Sequence, residues 1–418
     1  MNRKLILSSL FIFFCLWNIQ AEEYETMSPN GMLKIKLRID KGTTYEIWHG
    51  NEQLIASSPI GLNLSNGMII GGGTVKNVTR NVVDQTIEVI AGKNKTLREA
   101  YNELLISFTE DYDLLVRAYD EGIAYRFITR LGGEIIINSE DAVFNFTFTP
   151  TVYFPECDTN YSGEKDQEGK VHQIHQGYRN FERLYKIYNA PTEITNNRFS
   201  VSPVLFSHPD TSYKIVVTES DTYDYPGLYM EQNGPNSMRG KWAQYPKEVM
   251  DEDPSNPNYW YSNHLVISRE NYIAKTEGNR TFPWRVIIVS DDDKSLLNNE
   301  LVYMLAEPCR LTDTSWIQPG KSAWEWWHKA VLEGVDFPSG NNNLSFQLYK
   351  YYVDWASQHG IEYMTLDAGW SESYIRTLCL YAKQKNVKII VWTWASCVRE
   401  NPEDWIKKMK DYGVSGAK

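Results

Sequence analysis

Between Glu22 and about Ser290 the chain alternates apolar and polar residues with a period of two, the signature of half-buried strands. Leu33-Lys34-Ile35-Lys36-Leu37-Arg38-Ile39 is the strictest case. Thr86–Ile90, Leu114–Tyr119 and Tyr213–Val217 read as further strands. Turn-forming stretches separate them: Asp40-Lys41-Gly42, Ser65-Asn66-Gly67, Asp120-Glu121-Gly122 and Gln232-Asn233-Gly234. Many strands with few helical stretches predict a large antiparallel β-sandwich over residues 22–290.

The pattern changes near Asp291. Residues 291–312 read as a linker carrying one short helix that runs to Leu305. Beyond it, apolar strands at Ser322–Trp327, Ile361–Leu366, Val387–Trp392 and Val414–Lys418 alternate with helices at Leu344–His359, Tyr374–Lys385 and Pro402–Tyr412. Gly360 and Gly413 stand where a helix ends, and Pro402 where one starts. The strand starts at Ile361, Val387 and Val414 recur at near-equal intervals, which is the beat of βα units in a parallel sheet. The first units carry no Gly-x-Gly-x-x-Gly turn, so a Rossmann sheet fits less well than a (β/α)₈ TIM barrel. The predicted fold is therefore multidomain, β followed by α/β: a large antiparallel sandwich, then the first half of a TIM barrel over residues 313–418. Half a barrel cannot close or bury its strands, so a fragment is expected, or a protein whose missing half is essential to stability.

Composition refines this picture. A net charge of −11 argues against nucleic acid, whose phosphates need clustered Lys and Arg. The 14 Trp and 27 Tyr exceed what most soluble chains carry, and rings of this kind serve both β-rich cores and sugar sites. Residues 1–21 read as a secretory signal: Arg3 and Lys4, an apolar run from Leu5 to Trp17, then Ile19-Gln20-Ala21. Export to a periplasm or the exterior is expected, with no membrane anchor. Cys157, Cys309, Cys379 and Cys397 are too widely spaced for a zinc motif and read as ordinary buried thiols.

In a (β/α)₈ fold chemistry collects at the C-terminal ends of the strands. Those ends read Trp324-Glu325-Trp326-Trp327, Asp367-Ala368-Gly369-Trp370 and Thr393-Trp394. Rings and a carboxylate together make a sugar-binding mouth, with Trp326, Trp327, Asp367 and Trp394 as its candidate substrate-binding residues. Glu325 is expected on the opposite side of its strand from Trp324 and Trp326. In the sandwich, Thr218-Glu219-Ser220-Asp221-Thr222-Tyr223-Asp224-Tyr225 is the most acidic stretch. Its spacing is not that of an EF-hand, and by itself it reads as a solvated loop. His172-x-x-His175 lacks a helix-borne carboxylate and is weak as a metal site.

Several stretches, in order, resemble glycoside hydrolase family 97: Asp120-Glu121-Gly122-Ile123-Ala124-Tyr125-Arg126-Phe127, Thr218-Glu219-Ser220-Asp221 with Tyr225-Pro226-Gly227, Arg280-Thr281-Phe282-Pro283-Trp284-Arg285, Ser315-Trp316-Ile317-Gln318-Pro319-Gly320-Lys321, and Trp324-Glu325-Trp326-Trp327. The resemblance implies a β-super-sandwich joined to a catalytic barrel. It also implies action on α-linked galactosides or glucosides of oligo- or polysaccharides. Dependence on Ca²⁺ is implied too, with Glu219 matching the position of a ligand. Retaining hydrolysis needs a carboxylate nucleophile close to the acid/base, whereas inversion needs a wider gap. In the retaining branch strand four ends in Lys-x-Asp, which places the nucleophile about two residues past Lys418. The His-His-Glu group of the inverting branch is absent after strand three, where Val391-Trp392-Thr393-Trp394-Ala395-Ser396 stands. Two other readings stand beside this one: a carbohydrate-binding protein that does not cleave, and an inactive truncated remnant.

Overall fold

The computed structural model describes residues 21–158, 186–195, 198–251 and 264–418. All but the last residue of the secretory signal, and the whole His172–His175 motif, lie outside them.

The alternating segments form one hydrogen-bonded antiparallel network of 19 strands. Leu33–Ile39 pairs with Thr43–His49 and buries Leu33, Ile35, Leu37 and Ile39 while its lysines and arginine face outward, as the alternation requires. Gly122–Phe146 is the organising strand, pairing along its length with several others. Trp284–Ser290 lies between two partners: Lys214–Ser220 on one side and Gly122–Tyr125 on the other. Its alternate residues enter two different apolar clusters, Trp284, Val286 and Ile288 in one and Ile287 and Val289 in the other, so it is buried on both faces. The register sets Glu219 directly opposite Arg285.

The expected linker helix is two short helices, α1 (Asp293–Leu297) and α2 (Leu301–Leu305). The break follows from polar residues at Asn298–Glu300, where the Asn299 side chain accepts from Leu301 N at 3.1 Å. Helix α2 packs onto the sandwich through Leu301, Met304 and Leu305. Ser220 Oγ donates to the Val302 carbonyl at 2.7 Å. Glu300, 4% exposed, accepts from Lys93 N and Asn94 Nδ2.

The C-terminal part is a four-stranded parallel sheet of Ser322–Trp324, Tyr363–Leu366, Lys388–Val391 and Gly416–Ala417, in that order. Each strand is shorter than the apolar run that predicts it, because the run continues into the turn at one or both ends. The first strand in particular stops at Trp324. Glu325–His328 is a 3₁₀ turn that ends on Lys329 in the left-handed region (φ 59°). Helices α3 (Phe346–Gln358) and α4 (Glu372–Gln384) cover the sheet. Helix α4 buries Ile375, Leu378, Cys379 and Ala382, the i, i+3, i+4, i+7 stripe of an amphipathic helix. Ser345 caps α3 by accepting from Leu348 N at 3.2 Å. A helix absent from the sequence reading, α5 (Ala395–Glu400), precedes α6 (Pro402–Tyr412). Helix α6 ends on Gly413 at φ 84°, the left-handed stop that favours glycine.

The cysteine expectation is corrected in part. Cys379 is buried, but Cys309 and Cys397 are exposed free thiols.

Candidate active site

Four parallel strands place their C-terminal ends on one edge, and the chemistry-bearing side chains converge there. Asp367 follows the second strand and is 7% exposed. Its Oδ2 accepts from Trp324 Nε1 at 2.7 Å and from Lys418 Nζ at 2.6 Å. Its Oδ1 accepts from Ala368 N at 2.7 Å. Burial alone would raise this carboxyl. The hydrogen bonds from Lys418, Ala368 and Trp324, with the Lys418 charge, outweigh it and hold Asp367 below its usual value. The Lys418 ammonium also sits 3.9 Å from the centre of the Trp324 ring.

The aromatic candidates divide. Trp326 stacks on Trp324 with centroids 5.3 Å apart, and Trp327 tilts against Trp324 at 6.1 Å. The rings of Trp324 and Trp326 thus share a side and Glu325 turns inward, the arrangement that alternation predicts, although a 3₁₀ turn delivers it. Trp327 is 79% exposed. It lines a groove of about 490 Å³ with His328, Tyr351, Tyr352 and Trp355, and Asp367 is not among the lining residues. Trp394 packs edge-on against Trp392 at 4.5 Å, and the Trp392 carbonyl accepts from Trp370 Nε1 at 2.8 Å. The same loop reaches the fourth strand, where Thr393 N donates to the Lys418 carbonyl.

Glu219 belongs to a different network, inside the sandwich. Its Oε1 accepts from Leu228 N and its Oε2 from Arg285 Nη1, both at 2.8 Å. Arg285 also makes a two-pronged contact with Glu140, at 2.6 and 2.8 Å, and Tyr225 OH donates to Glu140 at 2.9 Å. Burial raises the Glu219 carboxyl above its usual range despite the Arg285 charge. The other two carboxylates of the acidic stretch go elsewhere. Asp221 pairs with Arg126 at 3.0 Å, and Asp224 accepts from Thr276 Oγ1 at 2.5 Å. Both adopt left-handed backbone, at φ 60° and 46°. The stretch is thus a set of separate ion pairs and hydrogen bonds rather than a freely solvated loop.

Calcium takes six to eight oxygen ligands. Among the described residues no group of three or more His, Cys, Asp or Glu side chains is placed to hold an ion.

Two members of the strand-end cluster, Trp324 and Lys418, were not among the residues singled out as binding candidates. Both close the strands they sit on, and the parallel register that sets them beside Asp367 was the signal available.

Comparison with known proteins identifies the family. A model described as Glycosyl-hydrolase 97 N-terminal matches residues 26–308, and one described as Glycoside hydrolase 97 matches residues 326–418. The chain belongs to glycoside hydrolase family 97. A retaining alpha-galactosidase of Bacteroides thetaiotaomicron is 33% identical over 98% of this chain and 61% of that protein. A probable retaining alpha-galactosidase of Streptomyces bingchenggensis is 25% identical over 92% of this chain and 55% of its own length. The chain thus spans about three fifths of these curated relatives. Among solved structures, a family 97 enzyme from Pseudoalteromonas sp. strain K8 in complex with acarbose superposes with a TM-score of 0.71 at 18% identity. That match covers 94% of this chain and 58% of the other. A beta-arabinopyranosidase superposes at 0.68 and 16% identity, over 94% of this chain and 61% of its own. Both structural matches speak to the fold. Among the described residues no helix is long and apolar enough to cross a membrane.

Proposed function

We propose that this family 97 chain supplies the sugar-binding strand ends of an exported glycoside hydrolase acting on α-galactosides of oligo- or polysaccharides, with retention of configuration. The observation that carries the reading is the convergence of Trp324, Asp367 and Lys418 from three of the four strands. An anionic acceptor and a cationic donor 2.6 Å apart can share the vicinal hydroxyls of one sugar ring. Trp326 and Trp327 offer ring faces against which the apolar side of a sugar packs. Identity of 33% to a retaining alpha-galactosidase supports galactosides over glucosides.

In this reading Asp367 stays ionised well below neutral pH and binds and orients the sugar; Lys418 fixes the Asp367 oxygen and donates to the same ring. The sheet is the first half of a TIM barrel. Retaining cleavage requires, besides these residues, a carboxylate pair about 5–5.5 Å apart. Calcium is proposed with Glu219 as one oxygen ligand among the several that it takes, and Asp367 and Lys418 act without it.

The test is a titration of the chain with galactose, glucose and raffinose, read by tryptophan fluorescence and by ligand-observed NMR. Saturable binding of galactose that D367N and K418M each weaken about tenfold or more is expected. Preference for glucose overturns the galactoside assignment, and no saturable binding of any of the three overturns the sugar site.

A further inference from the structure

Asp367 is gripped at two points by two consecutive residues. Trp324 Nε1 holds its side chain, and the carboxyl of Glu325 holds its main chain: Glu325 Oε1 accepts from Asp367 N at 2.8 Å. The same Oε1 accepts from Tyr349 OH on helix α3 at 3.1 Å. The Glu325 carbonyl in turn accepts from Ala330 N at 2.9 Å, which closes the 3₁₀ turn beneath it. Glu325 is 1% exposed and Tyr349 is fully buried. This carboxyl is out of reach of a substrate, and its hydrogen bonds come from neutral donors, Tyr349 OH and Asp367 N.

We propose that Glu325 is the positioning residue of the strand-end site, setting the turn that presents Asp367 and acting as a neutral hydrogen-bond acceptor rather than as a charge. Two observations support the neutral form. Oε2 has no hydrogen-bond partner among the described residues, and an ionised carboxylate left half unpaired in a buried site is costly. Burial also raises this carboxyl above its usual range, and the nearby Asp367 charge raises it further. The ionisable groups facing it are Tyr349 on α3 and Asp367 after the second strand. Tyr352 on α3 and Tyr374 on α4 interact with it electrostatically. None of them is a cation. A neutral Glu325 leaves Asp367 as the one negative charge of this cluster, matched by Lys418. The structural part of the proposal stands alone; its consequence for sugar binding rests on the function proposed above.

The experiment uses the full chain with aspartate labelled at the carboxyl carbon, the Asp367 signal being assigned by its loss in D367N. Its titration midpoint is compared in wild type, E325Q, E325A and Y349F, alongside galactose affinity. E325A is expected to raise the midpoint toward the ordinary aspartate range and weaken galactose binding about tenfold, which corresponds to about 1.4 kcal/mol. E325Q keeps the acceptor oxygen without a charge and is expected to restore both. An unmoved midpoint in E325A overturns the proposal, even if the melting temperature falls, since that is a merely structural role. Failure of E325Q to rescue overturns the neutral-acceptor role. If E325A does not fold, Y349F decides: a smaller rise in the midpoint is expected, and no rise overturns the proposal. Where wild type binds no galactose the proposed function fails, yet the midpoints still decide the role of Glu325.

Discussion

Replacing Arg285 tests the ion network that holds Glu219. Its side chain is 2% exposed, that of Glu140 6% and that of Glu219 12%. In R285M three charge-assisted hydrogen bonds disappear, at 2.6, 2.8 and 2.8 Å. Two buried carboxylates remain, with Tyr225 OH and Leu228 N as their donors among the described residues. Removing one partner of a buried ion pair costs about 3–5 kcal/mol, because an uncompensated charge is left inside. The guanidinium also lies 5.3 Å from the Trp242 ring, and that contact contributes about 0.5–2 kcal/mol more. R285K keeps the charge but cannot make a two-pronged contact to Glu140, so it is expected to recover about half of the loss. The assay is urea unfolding of the full chain followed by far-ultraviolet circular dichroism, which reports chiefly on the strand-rich sandwich. A loss below about 1 kcal/mol in R285M, or R285K matching wild type, would falsify the account of a buried network that depends on guanidinium geometry.

Three further outcomes are expected. D367N removes the anionic acceptor of Lys418 and is expected to weaken galactose binding about ten- to a hundredfold, from about 1.5–3 kcal/mol per hydrogen bond to a charged group. Because the Asp367 carboxyl lies below its usual value, its stabilising contribution is complete above the unfolded pKa of about 3.9 and is lost only as pH falls through the lower folded value. Binding lost between pH 6 and 5 would therefore contradict the assignment. G122A is expected to cost about 1–3 kcal/mol by urea unfolding, since a Cβ there would meet the Ile287 carbonyl oxygen at 2.6 Å and Leu301 Cδ2 at 2.9 Å. W327A removes a ring that is 79% exposed, so oligosaccharide affinity should fall while stability stays within about 0.5 kcal/mol; the reverse pattern would make Trp327 a packing residue.

The alternation of Leu33–Ile39 translates directly into burial because a strand has two faces and only one of them is apolar. The same holds for the helix stripe of α4. Strand ends were less legible. The apolar run at Ser322–Trp327 continues past the hydrogen-bonded strand, because residue type does not report pairing: Trp326 stacks on Trp324 yet stays exposed, and Trp327 is exposed too. Partner choice was least legible of all. Glu219 meets Arg285, 66 residues away, only through the register of two antiparallel strands, and a slip of one residue in either strand would have put the two side chains on opposite faces. Asp367 shows the consequence for function. Its residue type and strand-end position mark it from sequence as a hydroxyl-binding carboxylate. Whether it is ionised depends on Lys418 and Trp324, and whether its turn is held depends on Glu325, a carboxylate that the sequence places only on the other side of its strand from Trp324 and Trp326. The two acids are told apart by surroundings alone: one is paired with a cation at the sheet edge, the other is sealed among tyrosines with neutral donors. A site of this kind is assigned by finding which carboxylate has a cation and which has none.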